Sequence, residues 1–258
     1  MLRSEPYSGT QAVQRAVSLL KMFSDTRPEW GLTELSRAAG LNKTTVYRLL
    51  TALASEGLVA RSPITEAYRL GPEAIALGAR ALRSNDLRTV SRGYLEDLAR
   101  RSEETASLEV LVDAEVLIVD EVHGRKWLHG SPSVGTRWPA HATSTGKVML
   151  AYLPEADRKA ILRAPLAQPA RKTIPTLGAL RGELARVRTQ GYAIAVAELE
   201  DSYSAVGAPV RDHEGRVIAA VSVGGLSSRL PVEKLKQLIP VLLEAADGIS
   251  KQLGFVNR

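Results

Sequence analysis

Leu32-Thr-Glu-Leu-Ser-Arg-Ala-Ala-Gly-Leu-Asn-Lys-Thr-Thr-Val-Tyr-Arg-Leu-Leu50 decides the fold of the N-terminal part of this chain. It reads as a short helix, a glycine turn and a longer helix. Thr33 is the expected N-cap of the short helix, with Glu34 near its positive end, and Leu35 with Ala38 or Ala39 forms its buried side. Gly40 ends it, as glycine does where the backbone turns left-handed. Asn42 caps the longer helix, which runs to about Glu56 and stops at Gly57. Projected at about 100° per residue, Val46, Leu49, Leu50 and Leu53 share one side. Thr44, Arg48 and Thr51 fall on the other, with Lys43, Thr45 and Tyr47 beside them. That outward face carries an arginine for guanine edges or phosphate, threonines for phosphates and thymine methyls, and a lysine for the backbone. No acid interrupts it before Glu56. A small turn residue and such a face are what a helix-turn-helix needs. An isolated pair also reads as a plain helical hairpin with a solvated face, so its flanks matter.

The flanks favour DNA binding. Before the pair, Val13, Ala16, Val17, Leu20 and Phe23 recur at spacings of three and four, predicting a helix from Gln11 to Ser24. Pro28 and Gly31 then break the chain. After the pair, extended pieces at 58–62 and 67–70 surround a turn at Pro63–Glu66, a β-hairpin suited to a wing. Arg61 and Arg69 flank that turn, as phosphate or minor-groove contacts or as plain solubilising charge. Pro72 opens a further helix over 73–83, apolar on two sides at Ile75, Ala79 and Leu82 and at Ala74, Leu77 and Ala81. A connecting helix that apolar is expected to meet a second subunit.

Beyond it the pattern is α+β. Leu87, Val90, Tyr94 and Leu98 mark an amphipathic helix. Alternation at Ala106, Leu108, Val110 and Val112 and the apolar run 116–122 give strands joined at 113–115. Ser144–Leu153 reads as a helix stopped by Pro154. Strands follow at 192–197, 205–211 and 216–223, and a closing helix spans 231–253. Hairpin-linked strands mixed with helices favour a mainly antiparallel sheet flanked by helices.

The 258-residue length suits two domains. The expected boundaries are residues 1–71 for a winged helix-turn-helix, 72–85 for the linker helix and 86–258 for the rest. The net charge is +6, and residues 1–83 hold 11 Lys and Arg against 7 Asp and Glu, so most of the excess sits beside the expected DNA reader. Cysteine is absent, which excludes disulfides, thiolate catalysis and cysteine metal sites. Met1–Thr10 shows no signal-peptide pattern and no apolar run has membrane-spanning length, so a cytoplasmic protein without a membrane partner is expected.

At these residues the sequence resembles the IclR family of transcriptional regulators. The stretch quoted above, with Glu56-Gly-Leu-Val and Tyr68-Arg-Leu-Gly, is similar to that family's winged helix. Val134-Gly-Thr-Arg-Trp-Pro-Ala-His-Ala-Thr-Ser-Thr-Gly-Lys-Val-Met-Leu-Ala is similar to its effector-domain core motif, and Gly191-Tyr, Glu198, Ala208-Pro and Ala219-Ala-Val-Ser-Val match later positions. The resemblance implies a GAF-like effector domain for a small organic or aromatic acid. It also implies dimers, often paired into tetramers, acting on pseudo-palindromic double-stranded operators of catabolic genes, commonly as repressors.

Thr143-Ser-Thr-Gly at a helix start offers backbone N–H groups, hydroxyls and the positive end of a helix dipole to a carboxylate. A plain N-cap with nothing bound is the commoner meaning of such a start. The resemblance favours a ligand, held by the amides of Ser144 and Thr145 beside Gly146, and Ser222 resembles a ligand-contacting serine. The sequence also departs from the family. Ala195 replaces a common acid, Ala205 a frequent cysteine, Ser202 a glycine and Gly224 a second serine. These changes predict a less polar pocket, suited to an aromatic or otherwise apolar monocarboxylate. His123, His129, His141 and His213 lack zinc-ligand spacing. His141 near Lys147 lacks a nucleophile elbow. No metal, cofactor or catalytic group is expected.

Overall fold

The computed structural model describes residues 10–24, 26–83, 86–125 and 134–256. The segment Met1–Gly9, Asp25, positions 84–85 of the expected linker and His129 lie outside them. The chain divides into two compact units, residues 1–84 and 85–258.

The first unit holds α1 (Gln11–Leu20), β1 (Glu29–Trp30), α2 (Leu32–Ala39), α3 (Lys43–Ser55), β2 (Val59–Arg61), β3 (Tyr68–Leu70) and α4 (Pro72–Arg83). Gly40 closes α2 with φ 64°, and its N–H meets the Arg37 carbonyl. The Asn42 side chain accepts from the Thr45 amide at 2.7 Å and starts α3. Val46, Leu50 and Leu53 of α3 bury against Leu19, Leu35, Trp30 and Tyr68 in one small core.

Three expectations change here. Thr33 lies inside α2, whose N-cap is Gly31 with no side-chain bond. α1 ends at Leu20 rather than Ser24, and it buries Leu19 while Val13 and Val17 stay exposed. The hairpin gains a third strand, with Trp30 opposite Tyr68 and Glu29 opposite Arg69. The Trp30 ring is fixed by its indole N–H on the Met22 carbonyl and by Arg27 stacked 3.5 Å from its centroid.

The second unit is α+β, with an antiparallel six-stranded sheet as its frame. Its elements are α5 (Asp86–Ser102), β4 (Thr105–Val112), β5 (Glu115–Val122), β6 (Arg137–Pro139), α6 (Ser144–Tyr152), α7 (Glu155–Ile161), α8 (Leu177–Gln190), β7 (Ala193–Val196), β8 (Tyr203–Arg211), β9 (Val217–Leu226) and α9 (Val232–Gln252). The strand order is β6-β5-β4-β9-β8-β7. One core joins α5 and α9 to the sheet through Leu95, Leu98, Val206, Val221, Leu242 and Ile249. A second joins α6 and α8 through Val148, Leu150, Leu180, Leu184 and Val187. Both faces of the central strands are therefore covered, and any polar side chain there is enclosed. β6, α7 and α8 add to the elements expected from sequence.

Candidate functional site: a DNA-reading face and a cavity at a helix start

In the first unit, α3 presents Lys43, Thr44, Tyr47, Arg48 and Thr51 as exposed residues, with Thr45 half-buried at its start. The burial of Val46, Leu50 and Leu53 forces this, because residues three and four apart share a helix face. Thr51 donates its hydroxyl proton to the Tyr47 carbonyl at 2.9 Å and stays exposed. On the wing, Arg61 pairs with Glu66 at 3.0 Å and lies over the Tyr68 ring, while Arg69 sits exposed opposite Ala60 and Glu29. Sequence reasoning missed the α1 side of this face. Gln11, Ala12 and Arg15 join Thr45, Arg48 and Leu49 around a cleft of about 390 Å³, with no acid in its lining. Two guanidinium groups beside a helix start suit a phosphate.

In the second unit, a cavity of about 410 Å³ lies between the α6 N-terminus and the inner sheet face. Ser144, Thr145, Ala195, Ala205 and Ser222 line it, and Gly146 does not. The Thr143 hydroxyl accepts the Gly146 N–H at 3.0 Å, and this glycine packs against the Ala140 backbone. The helix start thus caps itself at Gly146, while helical geometry leaves the preceding amides without partners in their own helix. Below α6, Lys147 is buried and occupied. Its ammonium meets Glu198 at 2.7 Å, Glu183 at 3.2 Å and the Ile194 carbonyl at 2.7 Å. It is a structural cation rather than an anion partner. His141 is likewise buried, with Nε2 2.8 Å from the Ala167 carbonyl.

The cavity is more acidic than the sequence reading expected. Ala195 and Ala205 do present methyl groups, and Ile118, Trp138 and Leu226 extend that apolar wall. Glu104, Glu109, Glu121 and Glu200 also line it. Glu104 is neutralised by a two-bond pairing with Arg229, both contacts at 2.7 Å. Among the described residues Glu109 has no cation as a hydrogen-bond partner. It accepts from the Ser107 hydroxyl at 2.8 Å and from the Thr145 hydroxyl, and burial pushes its carboxyl above the usual range. Glu121 is raised to about 7 by burial first, then by the neighbouring charges of Asp120 and Glu109. Gly224, expected from the resemblance to stand where some family members have a second serine, has a reason in this fold. A Cβ there would lie 2.2 Å from the Tyr203 hydroxyl, which already fills that space.

A basic reading helix with a hairpin wing is the equipment of a DNA-binding regulator. Comparisons with known proteins place it further. The model of the IclR helix-turn-helix domain matches residues 12–63, and that of the bacterial transcriptional regulator IclR C-terminal matches residues 79–251. The regulator XynR of Escherichia coli strain K12 is 34% identical over 248 residues, covering 95% of this chain and 98% of that one. The crystal structure of an IclR transcriptional regulator from Alicyclobacillus acidocaldarius superposes with a TM-score of 0.83 at 29% identity, over 94% of this chain and 98% of that one. An IclR homolog from Microbacterium hydrocarbonoxydans, complexed with 4-hydroxybenzoate, superposes with a TM-score of 0.80 at 28% identity, over 94% and 99% of the two chains. The chain belongs to the IclR family of bacterial transcriptional regulators. It is a DNA-binding regulator, not an enzyme.

Among the described residues no group of His, Asp and Glu is arranged to hold a metal, and no helix is long and apolar enough to cross a membrane.

Proposed function

We propose that this regulator couples DNA binding to a small carboxylate effector held in the cavity at the α6 N-terminus. In this reading Lys43, Thr44, Thr45, Tyr47, Arg48 and Thr51 meet the major groove, and Arg61 and Arg69 of the wing meet the flanking backbone. The single observation that carries it is the cavity lined by Thr143, Ser144 and Thr145 of the α6 start together with Ala195, Ala205, Ile118 and Trp138. Amides at a helix start favour a carboxylate. The apolar wall favours a flat or aliphatic body, since burying it releases water at about 25 cal/mol per Å². An aromatic monocarboxylate of the benzoate kind fits both walls. The 4-hydroxybenzoate bound by the Microbacterium relative supports the same ligand class. The regulated genes in this reading serve breakdown of such acids.

Self-association belongs to the same proposal. α4 exposes Ile75 and Leu77, and α1 exposes Val13 and Val17. Apolar side chains of that size on two helices of so small a unit suit burial against a second copy. A two-fold dimer would place two α3 helices on a pseudo-palindromic site.

Calorimetry on the full chain tests the effector. Benzoate and 4-hydroxybenzoate are expected to bind more tightly than glyoxylate or pyruvate. Tighter binding of the two- and three-carbon acids would overturn the aromatic assignment. Binding of neither class would reduce the α6 start to a cap.

A further inference from the structure

Four buried polar side chains run as a chain along the cavity wall. Glu109 lies on β4, Ser107 two residues before it on the same strand face, Ser222 opposite Ser107 on β9, and Thr145 at the start of α6. Ser107 reaches Glu109 at 2.8 Å and Ser222 at 2.8 Å, and Thr145 closes the other end on Glu109. Each side chain is less than one-tenth exposed, and all four line the cavity.

A hydroxyl has one proton to donate, so the chain has a direction. With Glu109 ionised, Ser107 and Thr145 both donate to it. Ser222 must then donate to Ser107, and Ser222 shows the cavity only lone pairs. A carboxylate placed there meets lone pairs and, just behind them, a second negative charge. With Glu109 neutral and its proton on the oxygen that faces Ser107, the Glu109 O–H donates to Ser107, Ser107 donates to Ser222, and the Ser222 O–H is released toward the cavity. One proton on Glu109 converts the wall from acceptor to donor.

We propose that Glu109 is the specificity switch of this cavity: a carboxylate effector binds only with Glu109 neutral, and above the pH at which Glu109 ionises it brings one proton from solvent onto the Glu109 carboxylate. The balance is one ligand anion and one proton entering together, so the cavity gains no net charge. The inference rests on the carboxylate reading of the effector given above. Burial already favours the neutral form of Glu109, in the direction the switch needs.

Among the other charged groups near this wall, Glu121 on β5 lines the same cavity and is raised to about 7 by burial, so the Glu109→Gln variant below tells the two acids apart; Asp120 is held by Arg88 and Arg92. On α6, Lys147 is committed to Glu183 and Glu198. At the entry to β4, Glu104 is paired with Arg229. From β8, Tyr203 is pushed upward by burial and so stays neutral, and Glu200 at the start of the turn before it is exposed.

The test is benzoate titration of the full chain by calorimetry from about pH 6 to about pH 9, in paired buffers of different ionisation enthalpy. Wild-type affinity is expected to fall by about tenfold per pH unit once Glu109 ionises, with uptake of about one proton per benzoate. Glu109→Gln puts an amide donor toward Ser107 and an acceptor toward Thr145, fixing the donor direction. It is expected to bind benzoate with little pH dependence and more tightly than wild type at the alkaline end. A flat wild-type profile without proton uptake overturns the switch. A Glu109→Gln variant that keeps the wild-type slope overturns it too, and moves the proton to Glu121. Absence of benzoate binding by wild type at every pH removes the carboxylate reading itself, and this inference with it.

Discussion

Arg48 and Arg15 face the same cleft from different helices, yet they do different work in the proposed complex. Arg48 projects from the middle of α3, where a guanidinium reaches base edges. Arg48→Ala is expected to weaken specific DNA binding by about 1–3 kcal/mol and spare non-specific binding. Arg15 lies on α1, outside the groove-entering helix, and suits a phosphate. Arg15→Gln is expected to weaken all DNA sequences alike and reduce the slope of log K against log salt by about 1. Fluorescence anisotropy at several salt concentrations separates the two patterns. Equal losses on specific and random DNA for Arg48→Ala would remove it from base readout. Arg48 was legible from helix periodicity, because its neighbours Val46, Leu49 and Leu50 mark the buried side. Arg15 was not, since its role comes from α1 crossing α3. Glu109 and Glu121 were hidden for a related reason. An acid in an apolar strand reads as solvent-facing, but here helices cover both faces of the central strands and turn it inward.

At the scale of elements, local signals served where they were strong. Gly40, Asn42, Gly57 and Pro72 fixed the ends of α2, α3 and α4 because caps and glycine turns act within a few residues. β1 and β6 have two and three residues, too few to show a period, and exist only because longer strands offer them partners. α8 carried a readable stripe at Leu180, Leu184 and Val187 that the sequence reading passed over. The joint that ties α6 to α8 and to the turn after β7 is Lys147 with Glu183 and Glu198. Removing one partner of a buried ion cluster costs more than the cluster contributes, because the remaining charges are stranded. Lys147→Met is therefore expected to lose about 3–5 kcal/mol at neutral pH in urea unfolding. The deficit should shrink in acid as Glu198, whose carboxyl burial holds above the usual range, takes up a proton. A loss under about 1 kcal/mol at neutral pH would show that water already solvates these carboxylates.

Across the whole molecule, burial of acids sets a pH dependence of stability. Glu121 holds its proton up to about 7, against an ordinary value of 4.5. Its contribution is full below the unfolded value and is lost as pH rises through about 7. Stability of wild type is expected to decline over that window relative to Glu121→Gln, measured as unfolding midpoints in urea. Parallel profiles for the two proteins would contradict it. Assembly is the second property at this scale. Light scattering on the full chain at micromolar concentration is expected to find a dimer or tetramer, and Ile75→Glu with Leu77→Glu to shift it toward monomer. A wild-type monomer both with and without DNA would remove the proposed two-fold arrangement.

The central claim is that one chain both reads DNA and senses a carboxylate, and the direct test joins the two. DNA that the full-length protein selects from a random pool supplies a binding site. Its affinity is then measured with and without saturating benzoate. Coupling between two sites is expected to change that affinity by about 5- to 150-fold. An unchanged affinity with benzoate demonstrably bound would contradict the account.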